Sequence, residues 1–221
     1  MRSTPAELTP DPSPLTPASR GLFITLEGPE GGGKSTLAPL LADHLCARGH
    51  QVVTCAEPGG GAIPQAIRAL LLHPDRVEMA PRTELLLFLA ARAQQIQDTI
   101  APALEAGRIV ISDRYSDSTL AYQAYAGGLP VEAVEQVVEF ATDNLWPDLT
   151  LLLDVPPEVG LARQANRNRM ENKGMEFHRR VREGFLEQWR RHPERIRLVN
   201  AARPLAEVQT EVFHHVEAFL R

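Results

Sequence analysis

GPEGGGKST, residues 28–36, is the stretch that decides the fold. From Gly28 to Ser35 it fits GxxxxGK[ST], with an apolar run, LFITL (22–26), before it and an amphipathic run after it. The glycines let successive backbone N–H groups converge on phosphate oxygens, and the N-terminus of the following helix adds partial positive charge. Gly28, Pro29, Glu30, Gly31, Gly32, Gly33, Lys34, Ser35 and Thr36 are therefore read as the cradle of a triphosphate. Lys34 is expected on the terminal phosphates and the Ser35 hydroxyl on Mg²⁺. Glu30 is the odd member. A carboxylate facing bound phosphates meets repulsion on the order of a few kcal/mol. It is expected to point outward, to a hydroxyl or an arginine, and so toward a second substrate beside the loop.

Outward from the loop, short β-branched runs alternate with longer amphipathic ones. Strands are predicted at 22–26, QVVTC (51–55), RIVIS (108–112), LTLLLDV (149–155) and RIRLV (195–199). The helix after the loop carries Leu37, Leu40, Leu41 and Leu45 on one face, with Pro39 awkwardly placed near its start. Further helices are predicted over 63–72 and 82–105, then one through Val134, Val137, Val138, Ala141 and Leu145. Phe177, Val181, Phe185 and Trp189 form one helical face that reads as core, and Leu205, Val208, Val212, Val216 and Phe219 mark a last helix. Such alternation predicts an α/β fold, a five-stranded parallel sheet with helices on both faces. Ligands gather at the carboxyl ends of such strands, where each motif below falls.

With 221 residues, 43% of them hydrophobic, the chain supplies one sizeable core, and residues 21–221 are expected to form a single domain. A net charge of -5 argues against a broad nucleic-acid or membrane surface while leaving room for a local basic pocket. Cys46 and Cys55 fit no metal-ligand or CxxC spacing, so a reduced, cytoplasmic chain is expected. His214 and His215 read as surface residues. Residues 1–20 contain five prolines and no apolar run, and read as a disordered tail rather than a secretory signal. No later apolar stretch reaches the ~20 residues of a membrane span.

The loop alone leaves hydrolysis, switching and transfer open. A guanine-reading Asn-Lys-x-Asp is missing, since Asn172-Lys173 is followed by Gly-Met. Motor and transport ATPases end a strand in Asp-Glu, the glutamate polarising water. Here the third strand runs into Asp113-Arg114 and the fourth into Asp154-Val155. An acid for Mg²⁺ followed by an arginine suits transfer to a second phosphate better than hydrolysis, although an ordinary loop ion pair would look the same. The readings from these residues are a kinase for some nucleoside monophosphate or, in another class, an ATP-dependent switch or partition ATPase.

In addition to the loop, EPGG (57–60), LLLFLAAR (85–92), SDRYSDSTLAYQ (112–123), PDLTLLLDV (147–155) and RMENKGMEFHRRVREGF (169–185) stand in a fixed order. Together with LEGPEGGGKST (26–36) they resemble the thymidylate kinases over residues 21–221. The resemblance implies ATP and dTMP as substrates, Mg²⁺, a homodimer, and a place in dTTP biosynthesis. It implies that Phe88 stacks on the thymine ring while Arg92, four residues on along the same helix face, donates to a thymine carbonyl. Thr119 and Gln123 fall at the pyrimidine pocket and Tyr122 against the sugar. Arg114 is implied to grip the acceptor phosphate and the transferring group, with Arg68, Pro58 and Glu30 beside it. Asp113 joins Ser35 at the metal, and Glu57 contributes through Mg²⁺-bound water.

The arginine-rich stretch 163–174 resembles the family's lid. Some members carry an arginine after the acidic loop residue, but here that position is Gly31. The resemblance then places the catalytic arginine in the lid, with Arg169 the first candidate and Arg167 the second, and puts Arg163 against adenine. Ala56 and Gly61 depart from an arginine and a threonine that are common in the family.

Overall fold

A computed structural model of the chain describes residues 20–73, 79–164 and 168–220. Five parallel strands form one sheet: β1 (Phe23–Glu27), β2 (Val52–Ala56), β3 (Ile109–Asp113), β4 (Leu149–Asp154) and β5 (Ile196–Asn200), in the order β2-β3-β1-β4-β5. Four of the five strands start and end one residue later than the apolar runs suggest, and β4 stops one residue earlier. The difference has a purpose. Glu27, Asp113 and Asp154 become the final residues of their strands, and the ladder rather than a loop fixes each: Glu27 opposite Leu152, Asp113 opposite both Leu26 and Ala56, and Asp154 opposite Asn200.

Alternation along β1 sends Ile24 and Leu26 to one face of the sheet and Phe23, Thr25 and Glu27 to the other. The first face packs on α1 (Lys34–Cys46) and α9 (Leu205–Phe219) through Leu37, Leu41, Leu45, Val208, Val212 and Val216, all buried. Leu40 is only half-buried, and Pro39 lies on the exposed side of α1. Ser35, whose carbonyl Pro39 cannot bond, is exposed as well, so water can take the place of the missing N–H. The opposite face holds Phe23, Val110, Tyr115, Ile100 and Leu104. Beside them Val181 and Phe185 of α8 (Met175–Arg191) are buried, with Phe177 and Trp189 packed against them, so the predicted apolar stripe is core.

After α2 (Ala62–Leu72), the helix predicted over 82–105 is broken. It divides into α3 (Pro81–Gln95), a π-helical stretch (Ile96–Ile100) and α4 (Ala101–Glu105). Pro102 has no N–H for its fourth preceding carbonyl and its ring would strike that carbonyl, so the chain widens before it. The Ala101 N–H donates to Ile96, five residues back. A short helix, α5 (Ser116–Thr119), runs into a second π-helical stretch (Leu120–Ala126). α6 (Val131–Thr142) stops at Asp143 and Asn144, both with positive φ, so Leu145 lies beyond the helix it was assigned to. α7 (Pro157–Ala162) completes the set.

Most of the expected tail (residues 1–19) lies outside the described residues. No described helix is long and apolar enough to cross a membrane. His214 is exposed and His215 half-buried.

Candidate active site

One cleft of about 670 Å³ runs along the carboxyl edge of the sheet. At its floor the loop after β1 folds against the end of β4 and against α7. Gly28 has φ 132°, and a Cβ on it would stand 2.4 Å from the Leu153 carbonyl oxygen. Gly31 has φ 69°, and its Cβ would meet the Gly160 carbonyl oxygen at 2.1 Å. An arginine at position 31 is therefore blocked by the Gly160 backbone and disfavoured by torsion.

Lys34, the first residue of α1, is buried and donates to the carbonyls of Gly28 (3.0 Å) and Pro29 (2.8 Å). Burial first, and then Arg114, pull its ammonium down to about 8. Beside it the Ser35 hydroxyl donates to Asp113 Oδ2 at 2.6 Å. The ladder places that carboxylate and the loop places that hydroxyl, so two oxygen donors meet at the mouth of the loop. Arg163, after α7, donates to the carbonyls of Gly31 and Ala201, each at 3.0 Å. Arg163 and Leu205 both line the cleft.

Glu30 points away from the loop interior, as expected. Its Oε2 accepts from Arg114 Nη2 at 2.9 Å and its Oε1 from the Tyr122 hydroxyl at 2.7 Å. Burial alone would raise its pKa, but Arg114 and Lys34 outweigh that and hold it below the usual carboxylate range. Tyr122 is pushed well above its ordinary range by burial and remains a donor. Arg114 itself has φ 74°, a left-handed conformation that costs a non-glycine residue about 1–2 kcal/mol. Its Nη1 donates to the Gly28 carbonyl (3.0 Å) and to Ser118 Oγ (3.1 Å), and its guanidinium lies 5.1 Å from the centre of the Tyr122 ring. Burial opposes its charge, but Glu30 raises its pKa above the ordinary arginine value.

The far end of the cleft is a second chamber. Phe88 is half-buried rather than sealed in the core, and it lines the cleft with Arg92, Thr119, Tyr122 and Gln123. Arg92 is held from three sides: Nε on Glu57 Oε2 (2.7 Å), Nη1 on Thr119 Oγ1 (2.9 Å) and Nη2 on the Tyr115 carbonyl (3.0 Å). Glu57 is raised by burial, which Arg92 opposes, and its second oxygen has no partner among the described residues. Arg68 donates to the carbonyl of Pro58 at 2.6 Å, and both line the cleft beside Glu57. Gln123 donates to Glu84 at 2.9 Å.

Arg169, the first candidate for the lid arginine, is bonded away from the cleft in this structure. It does not line the cleft, and its guanidinium is occupied elsewhere: Nε donates to the Leu71 carbonyl (2.7 Å) and Nη2 pairs with Glu84 (2.7 Å), both side chains almost fully buried. The physical reason is Glu84, which stands on α3 eight residues before Arg92 and collects Arg169, Lys173 and Gln123. Burial would raise Glu84, but those donors, Lys173 foremost, keep it below the usual carboxylate range. Arg169 thus cross-links the end of the lid segment to α2 and α3. Arg167, the other candidate, lies outside the described residues, as do 165 and 166 of the lid. Arg169→Met is expected to lower stability by about 2–4 kcal/mol, since Lys173 and Gln123 stay on Glu84. Thermal melting should show it as a fall of roughly 5–10 °C. An unchanged melt with reduced turnover would return Arg169 to catalysis.

Glu84, Glu27 and Ser118 are not among the expected site residues, although positions 84, 88 and 92 share one helix face. Glu27 is fully buried and accepts from the Tyr115 N–H (2.8 Å), the Ser118 N–H (3.1 Å) and Ser118 Oγ (2.5 Å). Burial, then Asp117, push it up to about 7. Its only signal was a charged residue closing an apolar strand.

A triphosphate loop here opens directly onto an aromatic and arginine-lined chamber, with Arg114 standing between the two. Fold and site together define a phosphotransferase of the P-loop kinase class. The thymidylate kinase family model matches residues 26–212. A thymidylate kinase of Clostridium novyi (strain NT) is 41% identical over 92% of this chain and 100% of its own length. Another, of Syntrophotalea carbinolica, is 48% identical over 84% of this chain and 90% of its own. The crystal structure of the Ehrlichia chaffeensis thymidylate kinase superposes with a TM-score of 0.74 at 32% identity, over 90% of this chain and 99% of that one. The chain belongs to the thymidylate kinase family.

Proposed function

We propose that the chain transfers the γ-phosphoryl group of ATP to dTMP, giving ADP and dTDP, as a step of dTTP synthesis. The observation that carries this is the single cleft in which Arg114 stands between the Lys34 loop and the chamber of Phe88, Arg92, Thr119 and Gln123. The acceptor phosphate has a second pKa of about 6, so near neutral pH it is already an oxyanion nucleophile and no side chain need remove a proton. The chain's task is to align two polyanions and offset the charge that develops between them.

In this reading Lys34 leaves the Gly28 and Pro29 carbonyls for the terminal phosphates, and Arg114, braced by Glu30, faces the transferring group and the acceptor phosphate. Arg68 supports that phosphate from α2. Phe88 stacks on thymine, Arg92 and Thr119 read its polar edge, and Gln123 closes the pocket. Tyr122, tied to Glu30, presses on the sugar. Gly28 through Thr36 hold the ATP phosphates and Arg163 stacks on adenine. Ser35 and Asp113 supply hard oxygens of the kind Mg²⁺ takes alongside phosphate oxygens, and Glu57 contributes through Mg²⁺-bound water. When bound, Mg²⁺ supplies charge neutralisation across the donor phosphates.

We further propose one kinase domain over 21–221, a cytoplasmic enzyme and a homodimer. Support for the dimer is the set of exposed apolar side chains on α2, α3 and α6: Ile63, Leu70, Leu86 and Phe140, the last 89% exposed. Light scattering should give twice the chain mass, and a monomer at micromolar concentration would refute it.

The decisive experiment is ADP release with MgATP and, in parallel, dTMP, dUMP, UMP, CMP, AMP and GMP. Fast release with dTMP and slower release with dUMP is the expected result. Preference for another monophosphate would overturn the base-reading roles. Slow release indifferent to every acceptor would indicate a switch ATPase.

A further inference from the structure

Arg114 is held in place from beneath by a residue that touches neither substrate chamber. Three observations converge on it. Glu27 is the last residue of β1, fully buried, and is anchored by the ladder rather than by a loop. Its Oε1 accepts the N–H of Tyr115, the residue directly after the left-handed Arg114, and the N–H of Ser118. Its Oε2 accepts the Ser118 hydroxyl proton at 2.5 Å. A hydroxyl has one proton, so once Ser118 gives it to Glu27, its lone pairs face Arg114 Nη1 at 3.1 Å.

We propose that Glu27 is a positioning residue for phosphoryl transfer, fixing both the strained turn that carries Arg114 and, through Ser118, the direction of its guanidinium. The chain Glu27–Ser118–Arg114–Glu30–Tyr122 then runs from the sheet interior to the cleft wall as one line of oriented hydrogen bonds. A glutamine at 27 has one acceptor oxygen in place of two. Either the backbone N–H groups keep it and Ser118 loses its acceptor, or the reverse. In both cases Arg114 loses a constraint while the volume is unchanged. A second buried pair braces the same layer: Arg195 forks onto Asp117 at 2.7 and 2.8 Å, with Thr150 sharing Asp117 Oδ2. That pair gives Glu27 a rigid neighbour, not a hydrogen-bond partner.

The proposal rests on Arg114 acting in transfer, so the test separates the two. Glu27→Gln and Ser118→Ala are made singly, together, and each in an Arg114→Ala background, with kcat, both Michaelis constants and thermal melting measured. The expected result is a roughly tenfold fall in kcat for each single variant, a near-constant Michaelis constant for ATP, and a double variant little worse than either single. In the Arg114→Ala background, Glu27→Gln should cost nothing further. Losses that multiply, or that persist undiminished without Arg114, would show that Glu27 does not act through it. Unchanged kcat in both singles, with Arg114→Ala impaired, would overturn the inference and leave the proposed function standing. Full activity of Arg114→Ala itself would overturn that reading. If Glu27→Gln does not fold, Ser118→Ala in the two backgrounds decides alone.

Discussion

Arg114→Ala is expected to lower kcat by about a thousandfold, with a much smaller change in the Michaelis constant for ATP. Asp113 closes β3 and the chain turns at once through a left-handed residue, which aims the Arg114 side chain across the sheet edge onto the loop. There it bonds Gly28, Ser118 and Glu30. No other described arginine bonds to Glu30, so alanine removes the charge that, in the proposed reaction, faces both phosphates. It also strands Glu30, which keeps Tyr122 and the nearby Lys34 but loses its ion-pair partner. Breaking a buried pair costs about 3–5 kcal/mol. Arg114→Ala with Glu30→Gln should recover stability without recovering turnover. Steady-state rates and melting curves on the same samples would check both, and a loss of turnover below tenfold would remove Arg114 from the reaction.

Arg92→Ala is expected to raise the Michaelis constant for dTMP about a hundredfold while leaving that for ATP within about twofold, the size of one lost charge-assisted hydrogen bond. Arg92 lies at the far end of the cleft from Arg163 and Leu205, and its contacts to Glu57, Thr119 and Tyr115 hold its fork rigid. Two of its five N–H groups remain for a ligand once those three bonds are made. Truncation also leaves Glu57 buried with neither oxygen paired by a described side chain. The variant should therefore melt lower, and adding Glu57→Gln should restore the melt but not the affinity. Equal increases for both substrates would undo the base-reading role.

Much of this architecture is legible in the sequence. GxxxxGK[ST] between an apolar run and an amphipathic one fixed the loop, and alternation fixed a five-stranded parallel sheet. The electrostatics of a carboxylate inside an anion cradle foretold that Glu30 would turn outward to an arginine. Local patterns carried those readings. What stayed hidden depends on distance in the chain. Arg169 finds Leu71, 98 residues away, and Arg92 finds Glu57, 35 away, and no spacing rule links either pair. An arginine in a charged run reads the same whether it reaches a phosphate or, like Arg169, is locked into a buried carboxylate. Pro102 was visible, but its effect as a widened turn rather than a stop depended on helices packed around it. Glu27 stayed hidden because it falls one residue past the predicted apolar run (22–26), and a period-two pattern says which face a residue takes, not what waits there.

The touching backbones of residues 31 and 160 carry a consequence for how this active site can change over generations. A Cβ on Gly31 would lie 2.1 Å from the Gly160 carbonyl oxygen, and one on Gly160 would lie 2.0 Å from the carbonyl oxygen of Glu30, the residue just before Gly31. A codon change at either place alone yields a clash with backbone, and a change at both leaves two clashes. The loop and α7 thus hold each other at the distance that only glycine permits. A descendant of this chain reaches a loop-borne arginine only after α7 has first moved away, so the order of substitutions, and not merely their number, is set by a contact between two residues without side chains.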